Sequence, residues 1–169
     1  MRGTRLLLIV RHAPAEDASP DGDRGRALTA QGRAEMAQAA AGLARVLDPI
    51  AAIATSPLRR ARETADLLAT TWPGAARAEL PELAPGFDRE TLASGIDAQD
   101  ATSQALVGHE PDLSALVAWL IAGPAGARLH LRKGAAVLLT LHGRCGPRAA
   151  ELEWFMTRGA LRRLTVVKA

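Results

Sequence analysis

The chain contains one cysteine, Cys145, so it can form neither an internal disulfide nor a zinc site built from cysteines. Tyrosine is absent and aromatic residues make up 3% of the chain, which excludes the row of stacking side chains used by single-strand nucleic-acid binders. The apolar run Leu6–Val10 is too short to cross a membrane and leads into Arg11 without a signal-peptide cleavage site. These absences favour a cytoplasmic protein that binds neither nucleic acid nor membranes.

Lysine is scarce, because Lys133 and Lys168 are the only lysines in a chain whose formal net charge is +3. The positive charge is spread along the sequence rather than gathered into a basic patch, which argues against a nucleic-acid surface. An anionic substrate is compatible with this charge but is not required by it. With 169 residues and 48% hydrophobic content, the chain can bury one substantial core, and we expect a single domain over residues 1–169.

Hydrophobic periodicity predicts an α/β protein in which a strand, a loop and a helix recur three times along the chain. Strands are predicted at residues 6–10, 50–54, 104–107, 135–141 and 151–156, with a further short strand around Leu80. Helices are predicted from an N-cap at Thr29 to about Leu47, from Ser56 as N-cap with Pro57 in the first turn, and at residues 89–93, 112–121 and 158–164. The last two strands should form an antiparallel hairpin, and the last helix should cover a sheet edge.

Four basic side chains follow the first three predicted strands. Arg11 and His12 come directly after the first strand, Arg60 follows the second, and His109 follows the third. Because open α/β sheets bind ligands outside the carboxyl ends of their strands, we expect these side chains to converge. Two guanidinium groups and two imidazoles without acidic neighbours suit a phosphoryl group or another oxyanion better than a metal ion. The pattern therefore predicts an oxyanion pocket that uses no metal and no cofactor.

Four ordered motifs carry a family resemblance that spans nearly the whole chain. They are LIVRHAPAE at residues 8–16, RALTAQG at 26–32, SPLRRARETA at 56–65 and VGHEPDL at 107–113, with LPEL at 80–83 between the last two. Together they resemble the histidine phosphatase superfamily, and among its branches the small SixA-type phosphohistidine phosphatases. The resemblance implies a phosphoglycerate mutase-like fold, a three-layer α/β/α arrangement with a mostly parallel central sheet.

The resemblance also implies roles for individual residues. His12 would be the nucleophile that becomes transiently phosphorylated, while Arg11, Arg60 and His109 would bind the phosphoryl oxygens and stabilise the transition state. Arg26 matches the arginine of the family's Arg-Pro-Leu-Thr segment, although alanine replaces the proline here. Two interpretations of Arg26 remain open, a contact with the substrate and a structural salt bridge.

A general acid is the part of this machinery that the sequence does not identify. Larger relatives protonate the leaving alkoxide with a carboxylic acid, whereas the SixA-type branch lacks an obvious equivalent. Phosphohistidine needs less help, because imidazole can leave as a neutral ring. Glu82, Asp88 and Glu110 are the candidates, and Glu110 stands where this branch often has asparagine. That departure keeps a phosphomonoesterase acting on a small metabolite as the alternative function.

The leading hypothesis is thus a metal-independent phosphatase that hydrolyses protein phosphohistidine through a phosphorylated His12. A regulatory phosphate-binding module without turnover is the non-enzyme alternative, although binding alone would not need a nucleophile. The partner would be a phosphorylated protein or a small phosphorylated molecule. The other candidate residues are interpreted as surface or packing residues, and Lys133 has no assigned role. Those on the surface are Arg59, Arg62, His130 and His142, and those in packing are Trp72, Trp119 and Trp154.

Overall fold

The computed structural model describes residues 3–165 of the chain. Its strands are β1 (Thr4–Arg11), β2 (Ala52–Thr55), β3 (Ala76–Glu79), β4 (Ser103–Gly108), β5 (Ala136–His142) and β6 (Ala150–Met156). They form one six-stranded sheet in the order β3-β2-β4-β1-β5-β6. The pairs from β3 to β1 are parallel, and β5 pairs antiparallel with both β1 and β6. The sheet is therefore mostly parallel, as predicted, and it ends in the predicted antiparallel hairpin.

Helices cover both faces of this sheet. They are α1 (Ala30–Leu43), α2 (Arg59–Thr71), α3 (Arg89–Ala98), α4 (Asp112–Ala122) and α5 (Arg158–Arg163), with short 3-10 helices at Asp23–Gly25, Pro81–Leu83 and Gly123–Ala125. Alternate residues of β1 belong to two apolar clusters: Leu8 and Val10 pack with α1, α2 and α5, while Leu7 and Ile9 pack with α3 and α4. The predicted three-layer α/β/α fold is confirmed. No helix within residues 3–165 has both the length and the apolar character needed to span a bilayer.

The edge strand β3 was misplaced by the sequence analysis, which put a short strand at Leu80. Residues 76–79 are mostly exposed in β3, and their alternation of alanine with charged residues spans only four positions, so periodicity gave only a weak signal for them. Leu80 instead follows β3, and its backbone N–H donates to the carbonyl of Thr55. Helix α3 was predicted to end at Ala93, but it continues to Ala98 and buries Ile96 in the core.

The start of α2 was predicted wrongly. Helix α2 begins at Arg59, with Leu58 rather than Ser56 in the N-cap position. The backbone N–H of Ser56 donates to Val107 of β4, which continues the sheet pairing past the end of β2 and delays the helix by two residues. By contrast, the predicted cap of α1 is confirmed, because the Thr29 side chain accepts a hydrogen bond from the backbone N–H of Gly32.

The C-terminal end of α1 and the position of α5 also differ from the sequence prediction. Helix α1 stops at Leu43, and residues 44–47 continue as tight turns that still pack Leu47 against the core, which explains the longer periodic pattern. Helix α5 packs on α1 instead of covering a sheet edge. Its Leu161 lies so close to Gly42 that a side chain at Gly42 would place its Cβ 2.0 Å from the Leu161 carbonyl oxygen. Gly42 is therefore required for this helix contact.

Candidate active site

The three strand-to-helix junctions meet at one edge of the sheet. Arg11 at the end of β1 pairs in parallel register with Gly108, and Thr55 at the end of β2 pairs with Val107. The next backbone N–H groups continue these pairings, since that of His12 donates to the Gly108 carbonyl at 3.1 Å. The carboxyl ends of neighbouring parallel strands thus bring the first, third and fourth motifs to the same place.

His12 is held in one tautomer by its own main chain. The ring nitrogen Nδ1 lies 2.7 Å from the carbonyl oxygen of Ala13. Because a carbonyl oxygen can only accept, Nδ1 must carry the hydrogen, and Nε2 keeps its lone pair. Burial, together with the nearby positive groups, lowers the pKa of His12 to about 3 despite this hydrogen bond, so the ring is neutral at physiological pH. A neutral imidazole with a free Nε2 lone pair is a nucleophile.

Ala13, the residue that fixes the His12 ring, is itself fixed by α2. Its backbone N–H donates to the Thr64 hydroxyl at 3.1 Å, and that hydroxyl donates to the Arg60 carbonyl at 2.7 Å. Thr64 is fully buried. This role of Thr64 could not be predicted, because a hydroxyl that bridges two backbone groups has no pattern visible in sequence.

His109 lies beside His12, with 5.1 Å between the ring centroids and 52° between the ring planes. Its Nε2 is 2.8 Å from the hydroxyl of Ser56. Burial, and then the charge of Arg60, lower the pKa of His109 to about 4. Its Nδ1 is buried and has no hydrogen-bond partner among the described residues. Ser56 was interpreted as a helix cap, but it orients His109 instead.

Arg11 is anchored at one end of its guanidinium group. Its Nη1 donates to the Leu131 carbonyl at 2.8 Å, while its buried Nε has no hydrogen-bond partner in the part of the chain that the structure describes. Burial lowers the pKa of Arg11, and the negative charge of Glu110 opposes that shift. Glu110 therefore helps to keep a partly buried guanidinium group charged.

Arg60 is held by Asp23, a residue that the sequence analysis did not single out. The Asp23 backbone carbonyl accepts from Nη1 of Arg60 at 2.7 Å, and its carboxylate accepts from Nη2 at 3.1 Å. The Arg60 side chain is 6% exposed, and its Nε has no partner among residues 3–165. Asp23 lies in the first 3-10 helix, inside the 13–27 loop, whose path could not be derived from sequence. Its spacing from Arg26, three residues apart, was the available signal.

Arg26 forms a salt bridge in the structure. Its Nη1 donates to Asp23 at 2.8 Å, and its Nε donates to the Glu16 carbonyl at 2.5 Å. The structure thus shows the ion pair, and a contact between Arg26 and the substrate stays a prediction. Hydrogen bonds from Arg26 and Arg60 lower the pKa of Asp23 although desolvation opposes them, so the carboxylate stays ionised between the two arginines.

The three candidate acids have different surroundings. Glu110 is nearly buried, and its carboxylate accepts hydrogen bonds from the Ser114 hydroxyl and backbone and from the backbone N–H of Leu131. Asp88 is exposed and caps α3 by accepting from Thr91. Glu82 lies just beyond β3 at the same sheet edge, half-buried, and no hydrogen bond or ion pair holds it among the described residues. Glu110 and Asp88 thus have structural roles. Of the three candidate acids, Glu82 is the one whose carboxyl group has no partner among the described residues.

Most residues that were given no catalytic role lie where the sequence predicted them. Arg59 and Arg62 form exposed ion pairs, with Glu63 and Glu79 respectively, and His142 is half exposed at the end of β5. The tryptophans pack on the apolar clusters, and they are Trp72, Trp119 and Trp154. His130 is exposed and lies 3.9 Å from Glu110, at the margin of the site.

The chemistry of this site is that of an anion cradle. Three of its buried nitrogens lack a partner within the described region, namely Arg11 Nε, Arg60 Nε and His109 Nδ1. A buried polar atom without a partner costs free energy unless a ligand satisfies it, and phosphoryl oxygens are suitable acceptors. Within residues 3–165, no group of three His, Cys, Asp or Glu side chains is arranged to hold a metal ion.

Comparison with known proteins gives a consistent picture. The chain is 32% identical over 137 residues to an uncharacterized protein of Picosynechococcus sp. (strain ATCC 27264 / PCC 7002 / PR-6), covering 78% of this chain and 82% of that protein. A structure of the protein histidine phosphatase SixA complexed with tungstate matches with a TM-score of 0.77 and 23% identity, over 92% of this chain and 99% of that one.

Two further structures extend the comparison. A provisionally assigned phosphohistidine phosphatase SixA from Agrobacterium tumefaciens matches with a TM-score of 0.74 and 26% identity, over 93% of this chain and 99% of that one. The alpha-ribazole phosphatase from Shigella flexneri matches with a TM-score of 0.70 and 19% identity, over 90% of this chain and 96% of that one. The fold is thus shared by proteins named for a protein substrate and for a small-molecule substrate.

The family assignment comes from the sequence match. Residues 7–93 match the histidine phosphatase superfamily, branch 1, and they include the first two strand-to-helix junctions with Arg11, His12 and Arg60. His109 lies outside that match, but the fold brings it to the same edge of the sheet. Because the match covers more than half of the chain, the protein belongs to branch 1 of the histidine phosphatase superfamily, a group of phosphatases.

Proposed function

We propose that this protein is a phosphohistidine phosphatase that works through a covalent phosphoryl intermediate on Nε2 of His12. The observation that carries the proposal is the hydrogen bond from Nδ1 of His12 to the Ala13 carbonyl, which leaves Nε2 unprotonated next to the unpartnered nitrogens of Arg11, Arg60 and His109. The likeness to SixA-named structures supports phosphohistidine as the substrate group.

In the first step, the Nε2 lone pair of His12 attacks phosphorus, and the bond from phosphorus to the substrate's ring nitrogen breaks. When the other nitrogen of that ring carries a proton, the ring leaves as neutral imidazole and takes the bonding electron pair with it. In the second step, water attacks phosphorus, and the bond to His12 breaks with its electron pair returning to Nε2. Inorganic phosphate leaves with both hydrogens of the water, and the solvent takes up whichever of them the phosphate loses at the ambient pH.

The hydrogen bond to Ala13 serves both steps. Phosphorylation at Nε2 makes the His12 ring cationic, because Nδ1 keeps its hydrogen. The Ala13 carbonyl oxygen accepts from that Nδ1 and stabilises the positive ring. When water attacks, His12 leaves as the neutral imidazole that it was at the start, so neither half of the reaction needs a strong acid.

Arg11, Arg60 and His109 would stabilise the oxygens of the transferring group. The Ser56 hydroxyl accepts from the backbone N–H of Leu58 and lies 2.8 Å from Nε2 of His109, and we assign the hydroxyl hydrogen to that contact. This assignment puts the hydrogen of His109 on Nδ1, the atom that has no partner among the described residues. His109 would therefore act as a neutral hydrogen-bond donor, which agrees with its low pKa of about 4.

A phosphomonoesterase acting on a small metabolite is the second candidate. Its supporting observation is Glu82, which lies at the active edge of the sheet and has no hydrogen-bond or ion-pair partner among residues 3–165. A free carboxyl group there can protonate a leaving alkoxide, which phosphohistidine does not need. A module that binds phosphorylated partners without turnover is less well supported, since binding alone does not require an unprotonated Nε2.

The test combines trapping with a panel of substrates. Acid-quenched samples should carry one acid-labile phosphate on His12, and His12→Ala should lose both the label and turnover while its circular dichroism stays unchanged. Phosphohistidine protein and aryl phosphate should be hydrolysed, alkyl phosphates scarcely, and all activity should survive a chelator. Full turnover by His12→Ala would overturn the mechanism, and rapid hydrolysis of alkyl phosphates would favour the second candidate.

A further inference from the structure

A groove with a volume of about 500 Å^3 adjoins the anion cradle on the side of Arg11. We call it the basic groove. Five of the six residues that line it are basic or titratable as bases, and the six are Arg11, Pro14, His130, Arg132, Lys133 and Arg158. Arg11 belongs both to this groove and to the cradle, so a molecule that fills the groove also borders the phosphoryl position.

The floor of the basic groove is attached to the catalytic residues by backbone hydrogen bonds. The N–H of Gly134 donates to the carbonyls of both Arg11 and His12 at 3.1 Å. Leu131 accepts from Arg11 and donates to the nearly buried carboxylate of Glu110 at 2.5 Å. The 131–134 segment is therefore fixed relative to His12, and a ligand held there has a defined position beside the reacting group.

The basic side chains of the groove differ in whether a carboxylate pairs with them. Arg158 is paired with Glu35 at 2.7 Å, and its Nη1 donates to the Lys133 carbonyl at 2.9 Å. In contrast, the side chains of Arg132 and Lys133 have no carboxylate within ion-pair distance among the described residues. Arg132 is exposed and Lys133 is half-buried. These two unpaired cations are available to a ligand that brings its own negative charge.

Gly134 makes this arrangement possible. Its φ is +75°, in the left-handed region that favours glycine, and a Cβ at this position would come 2.8 Å from Cδ of Arg158. The Arg158 side chain can therefore lie across the backbone at Gly134 and support the segment that carries Arg132 and Lys133 from below.

We propose that the basic groove binds a carboxylate-bearing segment of the phosphorylated protein substrate, next to the side chain that carries the phosphoryl group. The proposal rests on the function proposed above. A small second anion is less well suited, because small-molecule sites enclose most of their ligand, whereas Arg132 and His130 extend into solvent. Long cationic side chains on an open surface match an acidic polypeptide, which can place several carboxylates along the groove.

The test compares the double variant Arg132→Ser/Lys133→Ser with the wild-type protein on matched substrates. One phosphohistidine peptide has glutamates beside the phosphorylated residue, and a second has neutral residues at those positions. The variant should raise KM for the acidic peptide about fivefold to tenfold, the effect of losing two exposed ion pairs, with kcat unchanged. The neutral peptide and aryl phosphate should show no change, and the salt dependence of KM for the acidic peptide should become weaker.

The matched control is Arg45→Ser/Arg163→Ser, which removes two exposed arginines, one just after α1 and one at the last residue of α5, and leaves the residues that line the groove unchanged. It should behave as wild type on every substrate. Equal losses on acidic and neutral peptides would overturn the proposal. A small phosphorylated hydroxy acid is added as a further substrate, and a loss of activity confined to it would also overturn the proposal. A binding assay tests the groove even if phosphohistidine is not hydrolysed. A fluorescent, unphosphorylated glutamate-rich peptide should bind the wild-type chain, and only the groove variant should weaken that binding.

Discussion

Asp23 holds Arg60 twice, through its backbone carbonyl on Nη1 and through its carboxylate on Nη2. The same carboxylate pairs with Arg26, so a short segment of the 13–27 loop orients a guanidinium group on α2. The Asp23 side chain is 59% exposed, whereas that of Arg60 is 6% exposed. The loop therefore closes over the arginine, and its position is part of the geometry of the site.

Asp23→Asn should lower kcat/KM for aryl phosphate about tenfold or more, the size of effect seen when a supporting partner of a functional group is lost. The loss should fall mainly on kcat, because a misdirected Arg60 fails to stabilise the transition state. Asp21→Asn, an exposed change in the same loop, is the control. If Asp23 acts through Arg60, adding Asp23→Asn to Arg60→Ala should cost little more, and additive losses would show an independent role.

Arg11→Ala and Arg60→Ala should each reduce the rate about a hundredfold or more, since each removes a charged donor from the developing oxyanion. Lysine at either position should restore little, because an ammonium group cannot reproduce the fixed fork of a guanidinium group. Arg59→Ala is the matched control, as Arg59 is adjacent in sequence but exposed and paired with Glu63. Normal kinetics of Arg60→Ala would remove Arg60 from the mechanism.

The histidines make stability depend on pH. The pKa of His12 is lowered from 6.5 to about 3 and that of His109 to about 4, so the unfolded chain binds their protons more readily than the folded one. Their contribution to the free energy of unfolding is complete above about pH 6.5 and is lost as the pH falls towards 3. Urea denaturation at pH 7, 5.5 and 4.5 should show a shallower loss for His12→Gln than for wild type, with His142→Gln as control. Parallel pH profiles would contradict the low pKa of His12.

Glu110→Gln should reduce the free energy of unfolding by about 1–3 kcal/mol, because an amide cannot accept every hydrogen bond that the buried carboxylate accepts. Urea denaturation measures this change. Aryl and alkyl phosphate hydrolysis should then fall in equal proportion, through weaker positioning of Arg11 and Leu131. A selective loss of alkyl phosphate hydrolysis in a stable variant would instead identify Glu110 as a proton donor.

Glu82→Gln tests the remaining candidate acid. If phosphohistidine is the substrate, this change should alter its hydrolysis less than about threefold, because imidazole leaves without protonation. Rates across a series of phosphate esters should fall steeply as the leaving alcohol becomes more basic, in both wild type and variant. A steep series only in the variant would assign the acid to Glu82 and support the metabolite phosphatase.

The sequence was sufficient for the parts of the fold that repeat a physical pattern. The buried run in β1, the cap at Thr29 and the placement of basic residues after three strands all follow from periodicity and chain topology. The exposed strand β3 has no large apolar residue to mark it, and Ser56 carries a cap signature while its backbone stays in the sheet pairing. Local propensity cannot foresee that competition, since the opposing hydrogen bond comes from Val107 on another strand.

Within the site, the residues that could not be predicted from sequence are those in loops. Arg11, His12, Arg60 and His109 lie at the ends or beginnings of regular elements, where position follows from register. Asp23 lies in an irregular loop, and its contact with Arg60 depends on the path of that loop through space. Two readings of Arg26 were equally compatible with the sequence for the same reason.

The hydrogen bond between the His12 ring and the Ala13 carbonyl has an evolutionary consequence. The acceptor is a main-chain atom, which every amino acid supplies, so no substitution at position 13 deletes it outright. A side-chain substitution can disturb the hydrogen bond from His12 Nδ1 indirectly, for example by removing the Thr64 hydroxyl that accepts from the Ala13 N–H. The tautomer of the proposed nucleophile is thereby inherited with the backbone, and side chains around it are free to diverge as substrates change.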